Sequence, residues 1–151
     1  MSRSTGEPAQ GFRPLNHTAD KSIEAWGATL PALFCAAAEG MFSESASCAQ
    51  IAAEQEWAIE VEGDTLEDLL HAWLSELLWV SERDEVVLCS LEVSEIAGGE
   101  RGPWRAHGRA RGGPPPKDSP HTGAPVKAVT YHGLRVWQQD DLWRARLVFD
   151  V

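Results

Sequence analysis

Apolar positions recur along the chain with two distinct periods. Leu30, Leu33, Phe34, Ala37, Ala38 and Met41 fall at i, i+3, i+4, i+7, i+8 and i+11, which is one face of a helix. Thr29 stands as its cap, and Pro31 lies in the first turn, where a missing N–H is harmless. A broader stripe of Leu66, Leu69, Leu70, Trp73, Leu74, Leu77, Leu78 and Val80 predicts a second helix. Its start carries a capping-box pattern, either Asp64 with Glu67 or Thr65 with Asp68. The other period is two. Ile23 and Ala25 alternate with polar neighbours within His17–Gly27, and Trp57, Ile59 and Val61 alternate with Ala58, Glu60 and Glu62, so both segments read as strands. Val86–Val93, Trp104–Ala110, Val126–Tyr131, Leu134–Gln138 and Trp143–Val148 read as further short strands. The last three are separated by the turn segments His132-Gly133 and Gln139–Asp141, which predicts an antiparallel meander.

Two helices among roughly seven strands predict an α+β fold, with both helices packed against a mostly antiparallel β-sheet in a single two-layer domain. That domain is expected over residues 14–151, behind a flexible tail at 1–13. Arg111–Pro125 contains three consecutive prolines and reads as an exposed loop. No internal repeat stands out. The seven tryptophans fall almost wholly within the predicted elements, which favours core anchoring over base stacking.

Composition narrows the class. At 151 residues and 43% hydrophobic, the chain can bury one real core. Its longest apolar run, Ala32–Ala38, is far short of the ~20 residues a membrane span needs, and the opening MSRSTGEPAQGFR has no signal-like stretch, so a cytoplasmic location is expected. Net charge is −10, unevenly spread: residues 1–100 hold four basic and 19 acidic side chains, whereas 101–151 hold nine and four. Such an acidic chain repels phosphate backbones, so tight direct binding of nucleic acid is not expected. Three cysteines, Cys35, Cys48 and Cys89, with no C-x-x-C, argue against a zinc ribbon or a disulfide frame and fit a reducing compartment.

No standard catalytic motif is present, neither a P-loop, a G-x-S-x-G, an H-E-x-x-H nor an EF-hand. The candidate chemistry lies at the two ends. Asp20, in His17-Thr18-Ala19-Asp20, precedes the first predicted strand, and Asp150 follows the last, next to Val151. If these strands pair, two side-chain carboxylates and the carboxylate of Val151 converge, and hard oxygen ligands of that kind suit Ca²⁺, Mg²⁺ or Mn²⁺. A solvated aspartate near a chain end is the competing reading. His17 is either a ligand or acid–base group or the donor of a turn hydrogen bond. Lys127 is a phosphate or partner contact or a solvated strand lysine, and His132 sits at a strand end where turn geometry alone explains it. His71 lies off the apolar stripe and reads as a surface residue, while capping accounts for Asp64, Glu67 and Asp68.

Four of these segments, in order, resemble the archease family. They are His17–Gly27 with Leu33-Phe34 and Ala38–Phe42; Val61–Leu70 with Trp73–Leu78; Lys127–His132; and Leu147–Val151. The resemblance implies an accessory protein rather than an enzyme. It would activate a GTP-dependent RNA ligase that joins 3′-phosphate to 5′-hydroxyl ends, as in tRNA splicing or RNA repair, by promoting ligase guanylylation and repeated turnover. It also implies a metal site at Asp20, Asp150 and Val151, with calcium, magnesium or manganese as the ion and Lys127 on the same functional surface. Pro125 and Lys21 depart from the family pattern. Two other classes remain open: a general chaperone or chaperone modulator, and a small metal-dependent phosphohydrolase using the same carboxylates with His17 as base.

Overall fold

The computed structural model describes residues 9–15, 21–43, 48–100, 102–116 and 126–151. The elements are β1 (Gly11–Leu15), β2 (Lys21–Gly27), α1 (Leu30–Met41), a short 3-10 turn (Cys48–Gln50), β3 (Gln55–Gly63), α2 (Leu66–Arg83), β4 (Val87–Ala97), β5 (Trp104–Gly113), β6 (Ala128–Val129), β7 (Arg135–Gln139) and β8 (Leu142–Asp150). All strand pairs are antiparallel, as the α+β reading requires. They form two sheets rather than one. In the first, β8 pairs with β2 on one side and with β6 and β7 on the other, and β1 extends the β2 edge; in the second the order is β3-β5-β4.

Behind the two sheets lies a repeat that the sequence did not announce. The unit β3-α2-β4-β5 places its first strand beside the last strand of its hairpin, and β2-α1-β7-β8 does the same. The β3-α2-β4-β5 unit is inserted whole between α1 and β7 of the other. Each strand-to-helix junction carries the same signature, Gly27-Ala28-Thr29-Leu30 and Gly63-Asp64-Thr65-Leu66. Thr29 accepts from the N–H of Ala32 at 3.2 Å and Thr65 from that of Asp68 at 3.0 Å, both from extended backbone. Thr65, not Asp64, is therefore the cap of α2, and Thr29 caps α1 as predicted. At both glycines an added Cβ would lie 2.5 Å from a helix backbone nitrogen, Leu33 N or Leu69 N. Three shared positions, Gly, Thr and Leu, are too few for the repeat to be visible among unrelated core residues.

The helices close the sheets reciprocally. On α1, the Cys35 thiol donates to the Leu91 carbonyl of β4 at 3.4 Å, and on α2 the Glu67 carboxylate accepts from the Val136 N–H of β7 at 3.0 Å. Each helix thus satisfies a polar group on the open edge of the other unit's outer strand, where an unpaired group would otherwise be left. The Trp73 indole donates to the Phe34 carbonyl at 3.1 Å, joining the two helices through a buried bond. One core runs through both units, with Leu33, Phe34, Leu69, Leu70, Trp73, Leu74, Leu77, Leu147 and Phe149 fully buried.

Several expectations need correction. Gly11–Arg13, read as tail, belong to β1, and Phe12 packs against the core beside Gly40 of α1. Arg111–Gly113, read as loop, complete β5, where Gly112 and Gly113 are buried against Val87 and Ala52; 117–125 lies outside the described residues. The segment 126–131 forms only the two-residue β6. Cys48 and Cys89 form a disulfide with Cα atoms 5.6 Å apart, leaving Cys35 free. An odd count hid one pair because the turn after α1 and strand β4 are brought together only by the fold. Trp73 and Trp26 are buried as expected, but Trp79 is exposed.

Candidate functional site

The register of the first sheet determines which candidates meet. Lys21, the first residue of β2, faces Phe149, and Asp150 ends β8 as an exposed strand residue opposite Ala128. The Lys127 N–H donates to the Asp150 carbonyl at 2.7 Å, so the exposed Lys127 is bound to the last ladder position of β8. Val151 follows, half-buried. Asp150, Val151 and Lys127 therefore lie together at one end of the sheet. His17 and Asp20 fall outside the described residues, although Asp20 directly precedes Lys21 in sequence. Among the described residues no group of three His, Cys, Asp or Glu side chains is placed to hold a metal ion.

His132 is exposed in the turn after β6. Its neighbour Tyr131 is the more structured residue. The Tyr131 ring stacks on His71 with centroids 4.0 Å apart and planes 10° from parallel. His71 is not a free surface residue: its Nε2–H donates to the Val129 carbonyl at 2.9 Å, and the Ser75 hydroxyl donates to its Nδ1 at 3.4 Å. These partners select the Nε2–H tautomer. Partial burial, together with the charge and hydrogen bonding of Asp68, pushes the Tyr131 phenol above its ordinary pKa. Glu67 thus has a task beyond capping, holding the edge of β7, and the charge of Asp68 acts on Tyr131.

On the face of the first sheet opposite the core, Arg13, Glu24, Arg146 and Arg135 stand side by side across β1, β2, β8 and β7. Glu24 accepts from Arg144 at 3.0 Å, with side chains only 16% and 11% exposed, and pairs more loosely with Arg13 at 3.6 Å. An open cleft of about 760 Å³ lies here, lined by Leu15, Glu24, Leu134, Arg135, Trp137 and Arg146. Among its described residues there is no Ser, Cys or His, and Glu24 is already engaged by arginine. A nucleophile with its base, the arrangement hydrolysis needs, is not assembled in this cleft.

Comparison with known proteins places this geometry. Residues 12–151 match the Archease protein family (MTH1598/TM1083). The chain belongs to the archease family. It is 36% identical over 140 residues to protein archease of Methanopyrus kandleri, covering 93% of this chain and 99% of that one. Protein archease of Pyrococcus furiosus is 34% identical over 139 residues, covering 89% and 94%. Among solved structures, Methanobacterium thermoautotrophicum protein 1598 superposes with a TM-score of 0.80 at 28% identity, covering 93% of this chain and 99% of that one. An archease of Thermotoga maritima, described as a possible chaperone, shares the fold at a TM-score of 0.53 and 22% identity, covering 92% and 96%.

Within this archease chain, the sequence reading pointed to the residues at the β8 end and passed over a line along α2. His71, Ser75, Trp79 and Arg83 recur at every fourth position, a second helical line beside the apolar stripe. Its polar and aromatic mixture concealed it, since a search for apolar period sees only the buried face. No helix of the described residues is long and apolar enough to cross a membrane.

Proposed function

We propose that this chain is a metal-binding accessory protein that activates a GTP-dependent RNA ligase, raising guanylylation of the ligase and allowing it to turn over repeatedly. The observation that carries this reading is membership of the archease family over residues 12–151, the stretch that contains all four motifs. The sheet register supports the site: Lys21 opposite Phe149 and Lys127 bound to Asp150 bring the two ends of the family pattern to one edge. Asp20 and Asp150 would hold a hard divalent ion with an oxygen of Val151. Carboxylate oxygens fit calcium, magnesium or manganese far better than a soft thiolate-seeking metal. When bound, the ion would supply positive charge to a transferring phosphoryl group. The exposed ammonium of Lys127 beside Asp150 would orient an anionic group at the same edge.

The competing chaperone reading draws on the description of the Thermotoga protein. It asks for a broad apolar surface open to unrelated clients, whereas Trp79 and Tyr131 are the only large hydrophobic side chains exposed among the described residues. That sparseness favours one defined partner. The test is RNA joining with ligase well below substrate concentration, with and without this protein. Joining should rise from about one turnover per ligase to many, and either Asp20→Ala or Asp150→Ala should abolish the rise while the fold persists. Undiminished activation by both variants would remove the metal site from the account. No activation by the wild-type protein of a competent ligase would overturn the reading itself.

A further inference from the structure

Trp79 and Tyr131 are 52% and 59% exposed, yet neither is loose. Arg83 lies over the Trp79 ring with its guanidinium carbon 4.2 Å from the centroid. That guanidinium is in turn held by Asp84 through two 2.9 Å bonds, and Asp84 also accepts from the Trp57 indole at 2.8 Å. Hydrogen bonding from Arg83 holds the Asp84 carboxyl below the usual range, so the clamp persists at neutral pH. Tyr131 is fixed by stacking on His71, itself bonded on both nitrogens. Both aromatics belong to one line along α2, where His71 and Trp79 are eight residues and about 12 Å apart.

Exposed aromatic rings cost stability in an isolated protein, and rings already held in one position lose little freedom on association. Trp, Tyr and Arg are also the residues most enriched among binding hot spots. The surrounding charge selects the partner. Glu76, Glu82, Asp84 and Glu85 flank the line, and its one arginine, Arg83, is taken up by Asp84. A second copy of this chain meeting the line through the same face would set like charges against each other, and a nucleic acid would bring phosphates against carboxylates. A surface rich in arginine and lysine suits both the acidic rim and the aromatic faces.

We infer that the outward line of α2, from Tyr131 on His71 to Trp79 under Arg83, is the docking surface for a cationic protein. Resting on the function proposed above, that protein is the RNA ligase, whose surface must be cationic to hold RNA phosphates and GTP. The line is continuous with the candidate site, because Tyr131 stacks on His71, His71 bonds Val129 of β6, and β6 pairs with Phe149 and Asp150. Docking along α2 would therefore set the β8 edge against the partner without using that edge for adhesion.

The experiment measures ligase activation against the concentration of wild-type, Trp79→Ala, Tyr131→Ala and Glu76→Lys/Glu82→Lys proteins, with folding checked by circular dichroism. Direct binding to the ligase is followed by interferometry. Each variant should raise the half-saturating concentration at least tenfold, while the maximal stimulation at saturation stays that of wild type. Binding of wild-type protein should weaken as salt rises. Variants with wild-type half-saturation overturn the docking surface and leave the activator reading standing. Lost maximal stimulation with unchanged half-saturation also overturns it, since the residues would then act after binding. A wild-type protein that neither binds nor activates the ligase overturns both. Direct binding of a twenty-nucleotide single-stranded RNA to the free protein, abolished by the same substitutions, overturns the choice of a protein partner.

Discussion

Gly63→Ala offers the sharpest test of how the two units are built. Gly63 ends β3 with an ordinary negative φ, so alanine meets no backbone strain there, and what excludes it is space. An alanine Cβ would stand 2.5 Å from Leu69 N, 2.7 Å from the Asp68 carbonyl carbon and 2.8 Å from Asp68 Cβ. Two of these three are backbone atoms of the first turn of α2 and have no side-chain rotation with which to yield. Restoring ordinary contact means withdrawing the turn by roughly 0.9 Å, and Leu69, Leu70, Trp73 and Leu74 would move with it out of a close-packed core. Overpacking of this kind costs about 2–3 kcal/mol, against which alanine recovers about 0.4–1 kcal/mol by restricting the unfolded chain. The net loss is about 2 kcal/mol, which for a chain of this length lowers the unfolding midpoint by about 4–8 °C.

The repeat sharpens the test. Gly27 meets Leu33 N, the Ala32 carbonyl carbon and Ala32 Cβ at the same 2.5, 2.7 and 2.8 Å, so Gly27→Ala should lose a similar amount. Gly102, with nothing within 4 Å of an added Cβ, is the control, and Gly102→Ala should be neutral or slightly stabilising. Calorimetric scans of the three variants at neutral pH suffice. A Gly63→Ala midpoint within 1–2 °C of wild type would refute the close-approach argument. So would an equal loss in Gly102→Ala, because the effect would then belong to glycine in general.

Three further outcomes follow from particular contacts. Glu24→Ala removes a 3.0 Å ion pair with Arg144 between side chains only 16% and 11% exposed and should cost about 2–4 kcal/mol by urea unfolding, whereas Glu62→Ala, an exposed partner of Arg105, should cost less than about 1 kcal/mol. Replacing Cys48 and Cys89 together by alanine releases a link across 41 residues and should lower unfolding free energy by about 3–4 kcal/mol, with wild type under dithiothreitol behaving alike. Burial pushes the Cys35 thiol above its ordinary pKa, so at pH 7–8 Cys35 should react with a disulfide reagent much more slowly in the folded protein than in urea, and equal rates would contradict its placement.

What could be read from the sequence was what a single period encodes. Both helices and the Thr29 cap follow from local spacing, while spacing alone leaves the α2 cap between Asp64 and Thr65, and observed α2 begins at Leu66, where the apolar stripe does. Strands with clean alternation were visible as well, Gln55–Gly63 above all. β1 was not, because in Gly-Phe-Arg-Pro-Leu only Phe12 faces the core and Pro14 argues against a ladder; it survives at the sheet edge, where a proline is tolerated. Division into two sheets and the Cys48–Cys89 link both depend on long-range pairing that no local window contains. At the candidate site, the ends were legible as a motif, and the sheet register sets Lys21 opposite Phe149, beside Asp150. The α2 line was missed because His71, Ser75, Trp79 and Arg83 share a position on the helix and no common chemistry.

The insertion of one unit inside the other bears directly on the site. β2 and β8 are complementary from Lys21–Phe149 to Gly27–Trp143, but the whole β3-α2-β4-β5 unit is made between them along the chain. The edge carrying Lys127, Asp150 and Val151 is therefore completed only when the last strand returns to the first unit. Glu67 on α2 then bonds Val136 and His71 bonds Val129, so the inserted unit pins the returning β6 and β7. The same helix supplies Trp79 and the seat of Tyr131. An archease chain built this way couples the proposed docking line to the proposed metal edge through one helix and two short strands. Weakening the His71–Val129 bond, as in His71→Phe, should therefore disturb both: stacking on Tyr131 can persist, but β6 loses its anchor, and activation should fall further than binding does. If binding and activation fall in equal proportion, the helix only docks and the coupling argument fails.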